Sequence, residues 1–350
     1  MSSSLLTAKQ VSKFFPSGRT LWATKTFVQA VNQVSFEIQR GETFALVGES
    51  GCGKTTTGRL LLGLEVPTEG EILYQGHSLK DLRGQDLLEY RRRVQVIFQS
   101  SNASLNPRKT ISQILFTALT VSKVLPATKR RIIYSRVASL LEDVGLHPAQ
   151  AFMHRYPHEL SGGQRQRVGI ARALATEPDV IIADEPVSAL DISVRAQILA
   201  LLSKLQQQRN LSFVFISHDL AVVRSVAHRV GVMYLGRLIE TGSVADIFER
   251  PLHPYTETLI RATPASHPRI ARERQQIVVS GDIPSPVNIP SGCPFHPRCP
   301  IAQDICREQV PQLLEIAPQS HAACHFAEDR LHNKPATLLQ QKGLNKHPSR

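Results

Sequence analysis

The sequence predicts an α/β fold: a largely parallel sheet, a helical insertion, and a small cysteine-containing C-terminal extension. Short apolar runs, rich in β-branched and aromatic residues, recur between glycine-rich turns. Segments with helical periodicity alternate with those runs, the pattern of strand–helix–strand units. After about residue 262 the texture changes: prolines become frequent (Pro264, Pro268, Pro284, Pro286, Pro290) and periodicity fades.

The elements follow in order. VNQVSFEI (31–38) and TFALVGE (43–49) read as strands. RRIIYSRVASLLEDVGL places Ile133, Val137, Leu140, Leu141 and Val144 on one helical face and stops at Gly145. DVIIADE (179–185) is a continuous apolar run ending in two acids, as a buried parallel strand should be. SVRAQILALLSKLQQQ repeats the helical period through Val194, Ile198, Leu201, Leu202 and Leu205, and LSFVFISHD (211–219) is another buried strand. The expected division is a main domain over 1–262 with its helical part at about 100–178, a small domain over 263–330, and a polar, basic, disordered tail over 331–350. No internal repeat is visible.

At 350 residues with 42% hydrophobic content, the chain can bury a substantial core. It has no apolar run of membrane-spanning length, and its start, MSSSLLTAKQVSKFF, does not resemble a secretion signal. The expected location is cytoplasmic, where structural disulfides are not expected. The net charge of +12 is spread along the chain, with small clusters at Arg91–Arg93 and Lys129–Arg131. Such spacing fits a solvated surface better than a nucleic-acid groove.

The strongest motif is GESGCGKT: Gly48, Glu49, Ser50, Gly51, Cys52, Gly53, Lys54 and Thr55, followed by Thr56. It sits between a predicted strand and an apolar helix. Its glycines let backbone N–H groups wrap a phosphate, Lys54 would reach the β- and γ-phosphates, and the Thr55 hydroxyl would ligate Mg²⁺. Cys52 is expected to be a packing bystander. VIIADE supplies the complementary carboxylates: Asp184 to hold Mg²⁺ through water, and Glu185 to polarise the attacking water. An acidic strand end can also simply cap a turn, but the two motifs together are a much stronger sign of phosphoryl transfer than either alone.

YPHELSGGQRQRVGIARAL (156–174) opens a second helix with Ser161, Gly162, Gly163 and Gln164. A second anion-binding helix start is redundant unless it serves a nucleotide held by another subunit. With LSGGQ and the two phosphate-site motifs in place, the chain resembles the ATP-binding cassette (ABC) ATPases. That resemblance implies a P-loop NTPase core, in which a RecA-like parallel sheet joins an antiparallel β region and a helical subdomain. It also implies Gln99 as the residue contacting Mg²⁺ and attacking water, Ser188 to Asp191 as the D-loop, and His218 as the γ-phosphate switch. The family stacks adenine on an upstream aromatic; Phe15 is the best match, with Phe14, Trp22 and Phe27 nearby.

ERPLHPYTETLI (249–260), SGDIPSPVNIPSGCPFHPRCP (280–300), ASLNPRKTI, PVSALDISVRAQI and VMYLGRLIETG resemble the ATPases of peptide and nickel importers, nearest the F-type dipeptide-importer subunit. The resemblance implies a peripheral subunit on the cytoplasmic face of the inner membrane. Its partners would be two transmembrane permeases, a second, D-type ATPase subunit, and an extracytoplasmic peptide-binding protein. Nickel or antimicrobial-peptide uptake is an alternative cargo. A soluble DNA-repair ATPase is the alternative of another class. However, the chain shows no heptad coiled coil or inserted zinc module, and no nucleic-acid partner is expected.

Four of the five cysteines, Cys293, Cys299, Cys306 and Cys324, lie in the extension. Their spacing, C-x₅-C-x₆-C-x₁₇-C, suits neither a zinc C-x₂₋₄-C pair nor a bacterial ferredoxin. Resemblance to the peptide importers implies a [4Fe–4S] cluster on these four. Zinc, free thiols and a disulfide formed on oxidation remain open.

Overall fold

The computed structural model describes residues 4–17, 26–99, 105–262, 282 and 284–332. Trp22, the start of the helical insertion at 100–104 and the tail from 333 onward therefore lie outside the described residues.

Two sheets organise the chain. In the smaller, antiparallel one the order is β2 (Thr26–Ile38), β1 (Leu6–Ser17), β4 (Glu69–Tyr74) and β5 (His77–Ser78). The larger sheet has the order β11 (Leu314–Ala317), β12 (Ser320–Ala322), β10 (Arg237–Ser243), β9 (Arg229–Tyr234), β3 (Thr43–Val47), β8 (Ser212–Ile216), β7 (Val180–Asp184) and β6 (Val94–Ile97). From β9 to β6 its strands run parallel. These parallel strands read as continuous apolar runs because helices cover both faces: β3 and β8 are buried at every position.

Helices connect the strands. On the nucleotide side are α1 (Lys54–Leu61) and α2 (Gly84–Arg93). The insertion holds α3 (Ile111–Val121), α4 (Arg130–Asp143), α5 (Gln150–Met153) and α6 (Gly162–Leu174). Beyond it come α7 (Ile192–Arg209), α8 (Leu220–Val226), α9 (Val244–Glu249), α10 (Pro254–Ala262), α11 (Asp304–Glu308) and α12 (Ala327–His332). The predicted stripe on α4 is fully buried: Ile133, Val137, Leu140, Leu141 and Val144 are each 0% exposed. Thr110 starts α3 with a capping box shared with Gln113. Among the described residues no helix is long and apolar enough to cross a membrane.

The extension is fused to the main sheet. Strand β12 pairs antiparallel with β10 (Glu240↔Ala322, Thr241↔His321), and β11 pairs with β12. Phe295, Cys293 and Cys306 belong to the same apolar cluster as Tyr234, Tyr255 and the parallel strands. A buried polar knot ties the extension down further. Leu252 and His253 donate their N–H groups to the fully buried Glu240, and Arg330 pairs with Glu257 at 2.7 Å.

Candidate active site

The phosphate loop leaves the end of β3 and turns into α1. Gly53 has φ +105°, and a Cβ there would meet the Ala30 carbonyl at 2.1 Å, so only glycine fits the turn. Lys54, 6% exposed, donates to the carbonyls of Gly48 (2.8 Å) and Glu49 (2.9 Å). Cys52 Sγ lies 3.6 Å from Lys54 Nζ, and burial pushes its thiol pKa up, which suits packing and not metal ligation.

The carboxylate strand ends beside this loop. Thr55 Oγ1 donates to Asp184 Oδ1 at 3.4 Å. Burial, then the neighbouring Glu185 charge, raises the Asp184 pKa. Oxygen donors at Thr55, Asp184 and Gln99 are the hard set that Mg²⁺ prefers. Glu185 occupies a left-handed backbone conformation, φ +47°, held by its N–H donating to Ile216 O at 2.9 Å. That twist aims its carboxylate into a cavity of about 590 Å³. There Gln99 Nε2 donates to Glu185 Oε2 at 2.8 Å, and His218 Nδ1 stands 2.9 Å from Oε1. The cavity is lined by Ser50, Gly51, Gly53, Lys54, Thr55, Thr56, Gln99, Glu185 and His218, with Val28, Ala30 and Pro286 forming an apolar side.

The structure does not bring every expected residue here. Ser161 caps α6 in a capping box with Gln164, and Asp191 caps α7 by accepting the Val194 N–H at 2.9 Å. Neither group, nor Gly162 and Gly163, lines the cavity. At Gly163 an added Cβ would come within 2.5 Å of Val194 Cγ1, so the glycine allows α6 to start against α7. Phe15 lies on β1 opposite Val28, with Lys13 Nζ 5.1 Å from its ring centroid, and does not line the cavity either. Val28, Ala30 and Pro286 occupy the apolar side instead.

Two contacts of the phosphate loop had no signal in the sequence. Arg298, in the extension, forms a bidentate pair with the Glu49 carboxylate at 2.9 and 3.0 Å. Tyr255, within the HPYT segment, accepts the Glu49 N–H at 2.9 Å.

All five cysteines are free thiols, four of them in the extension. The Cys293 N–H donates to the Cys306 carbonyl at 2.8 Å. Burial, reinforced by the other thiols, pushes Cys299 up to about 12 and Cys324 up to about 11. Among the described residues no group of three or more His, Cys, Asp or Glu is placed to hold a metal ion. The expected [4Fe–4S] cluster or zinc therefore has no preformed cage among the described residues.

Comparison with known proteins agrees with the geometry. Residues 31–188 match the ABC transporter family, and residues 239–306 match the oligopeptide/dipeptide transporter C-terminal region. The chain is 47% identical to an oligopeptide transport ATP-binding protein of Bacillus subtilis, covering 92% of this chain and 97% of that one. It is 49% identical to a dipeptide transport ATP-binding protein of Haemophilus influenzae, covering 91% and 96%. Among solved structures, a dimeric ATP-binding cassette in a post-hydrolysis state with ADP and phosphate aligns at TM-score 0.60 and 30% identity, covering 68% of this chain and 98% of that one. With the phosphate loop, the paired acids and the extension all in place, the chain belongs to the ABC transporter ATPases, in the branch that carries the oligopeptide/dipeptide C-terminal region.

Proposed function

We propose that this chain is the ATP-hydrolysing subunit that energises import of dipeptides and oligopeptides, bound peripherally at the cytoplasmic face of the inner membrane. The observation that carries the proposal is the Glu185 carboxylate held between Gln99 and His218 beside the phosphate loop, in a chain whose extension matches the peptide-transporter region.

Each residue then has a task. The loop Gly48–Thr56 cradles the phosphates, and Lys54 trades its loop carbonyls for β- and γ-oxygens. Thr55, Gln99 and Asp184 hold Mg²⁺, which neutralises charge on those oxygens when bound. Glu185 orients and polarises the attacking water, while His218 contacts the γ-phosphate and fixes the carboxylate. Val28, Ala30 and Pro286 form the apolar side against which the base lies. Ser161, Gly162, Gly163, Gln164 and Asp191 do not line their own chain's cavity, as expected of residues that serve the nucleotide of a second, D-type ATPase subunit.

The permease contact has a candidate place. A cavity of about 590 Å³ between α2, β6 and α3 exposes Leu88, Phe98 and Val121 beneath a cationic rim of Arg91, Arg92 and Lys109. It begins one residue before Gln99, so a permease's cytoplasmic helix bearing acidic residues, seated there, would feel the nucleotide state directly. The extracytoplasmic binding protein contacts the permeases and not this chain.

The iron–sulfur assignment to Cys293, Cys299, Cys306 and Cys324 belongs to the same proposal. What supports it is the match to the peptide-transporter C-terminal region together with the number of thiols: a [4Fe–4S] cluster takes four thiolate ligands, and the extension carries four free cysteines. Iron and sulfide assays on anaerobically purified protein test it, and a metal-free protein would remove it.

The function as a whole is tested in the host. A Lys54→Ala strain should lose uptake of labelled dipeptide while keeping nickel uptake. Unchanged dipeptide uptake with lost nickel uptake would overturn the cargo.

A further inference from the structure

The extension reaches the phosphate loop with a charged side chain. The Arg298 side chain is 6% exposed, and both its terminal nitrogens donate to the Glu49 carboxylate. Glu49 is the second residue of the phosphate-binding motif. All three of its polar groups are held: its N–H by Tyr255, its carbonyl by Lys54, its carboxylate by Arg298. The guanidinium is itself fixed by the rings of Tyr234 and Phe295, each 5.9 Å from its central carbon, and by the Tyr234 hydroxyl at 3.4 Å. A second contact runs the same way: Pro286 lines the nucleotide cavity, and its carbonyl accepts the Gln29 N–H at 3.3 Å.

The pair is part-buried, with the Glu49 side chain 25% exposed, and desolvation of the guanidinium offsets part of the attraction. Here the Arg298 Nε atom also lacks a hydrogen-bond partner. What the pair does fix is geometry. The bidentate fork allows one orientation of the Glu49 side chain. Fixing Glu49 fixes the carbonyl that Lys54 must release when phosphate arrives.

We propose that Arg298 is a positioning residue for ATP binding: the extension, through the Arg298–Glu49 pair, holds the phosphate loop in its binding-competent shape. The inference rests on the ATPase assignment but goes beyond it, since it makes the C-terminal extension part of the nucleotide site. The extension is then no separate appendage, and any change in the Cys293–Cys299 loop that carries Arg298 is felt at the phosphates.

The test is a double-mutant cycle on the full chain, read as Mg-ATP affinity by calorimetry and as KM and kcat for hydrolysis. Arg298→Gln and Glu49→Gln should each weaken Mg-ATP binding about tenfold and raise KM alike, with kcat changed less than threefold. The double variant should be no weaker than either single one. Arg298→Lys, which keeps the charge and loses the fork, should fall between. Unchanged affinity in Arg298→Gln, or additive losses in the double variant, would overturn the proposal. Should Arg298→Gln fail to fold, Glu49→Gln decides: affinity equal to the unaltered chain's refutes the role. An unaltered chain that binds no ATP would instead sink the ATPase assignment and the inference with it.

Discussion

His218 Nδ1 stands 2.9 Å from the Oε1 atom of Glu185, while Gln99 donates to the other carboxylate oxygen at 2.8 Å. The three residues come from the ends of three neighbouring parallel strands, so the sheet itself sets their spacing. Gripped on both oxygens, the carboxylate has few rotamers left, and a water placed against it meets a defined acceptor.

Glu185→Gln keeps the side-chain shape and removes the base. It should bind Mg-ATP with unaltered affinity and hydrolyse it at least a hundredfold more slowly, by phosphate-release assay. Normal turnover would take Glu185 out of its role.

Asp184 and Thr55, the proposed Mg²⁺ ligands, share one hydrogen bond, and burial raises the Asp184 pKa. Because the folded carboxyl is more easily protonated than a free one, Mg²⁺-dependent nucleotide affinity should weaken as pH falls toward the acid range. Asp184→Asn should bind Mg-ATP weakly at every pH and flatten that profile. Titration of Mg-ATP at several pH values measures both.

Phe295 lies 5.4 Å from both Tyr234 and Tyr255 in edge-on ring contacts and is 1% exposed. Removing it leaves a cavity under the phosphate loop. Phe295→Ala should cost about 3–5 kcal/mol of stability, by denaturant titration. It should also weaken ATP binding, since Arg298 loses one of its two supporting rings.

Glu240 is fully buried, accepts the Leu252 and His253 N–H groups, and has its pKa raised by burial to about 7, with Thr256, the two N–H groups and Arg330 opposing the shift. A raised folded pKa means the folded state holds the proton more tightly. The stability it contributes is present below the ordinary value of 4.5 and is lost as pH rises through about 7. His253 runs the other way: burial lowers it to about 3, so its contribution is lost as pH falls below 6.5. Between 4.5 and 6.5 the two slopes oppose each other; above that window Glu240 acts alone. Glu240→Gln should therefore gain on the unaltered chain as pH rises from 6 to 8, by roughly 1 kcal/mol or more. Parallel denaturation midpoints across that range would contradict this.

The parallel strands were legible because helices cover both faces, leaving one unbroken apolar run in each of β3, β7 and β8. The stripe on α4 was legible for the complementary reason: one face is buried and the other is wet. Strand β1 was not, since its ladder shifts register three times against β2 and its burial alternates irregularly. The phosphate, signature and carboxylate motifs are local in sequence and could be read as such. The Arg298–Glu49 pair joins residues 249 positions apart, and nothing in either neighbourhood announces the other. Phe15 was expected from its place upstream of the phosphate loop; it lies on β1 outside the cavity lining, where Val28 and Pro286 stand.

The decisive measurement is ATP hydrolysis by the chain assembled in proteoliposomes with the permeases and second ATPase subunit proposed for it, with the proposed binding protein and a dipeptide enclosed. Hydrolysis should rise several-fold with the peptide-loaded binding protein, with peptide appearing on the ATP side, and both should vanish in Glu185→Gln. Hydrolysis indifferent to peptide but stimulated by DNA at physiological salt would contradict the account.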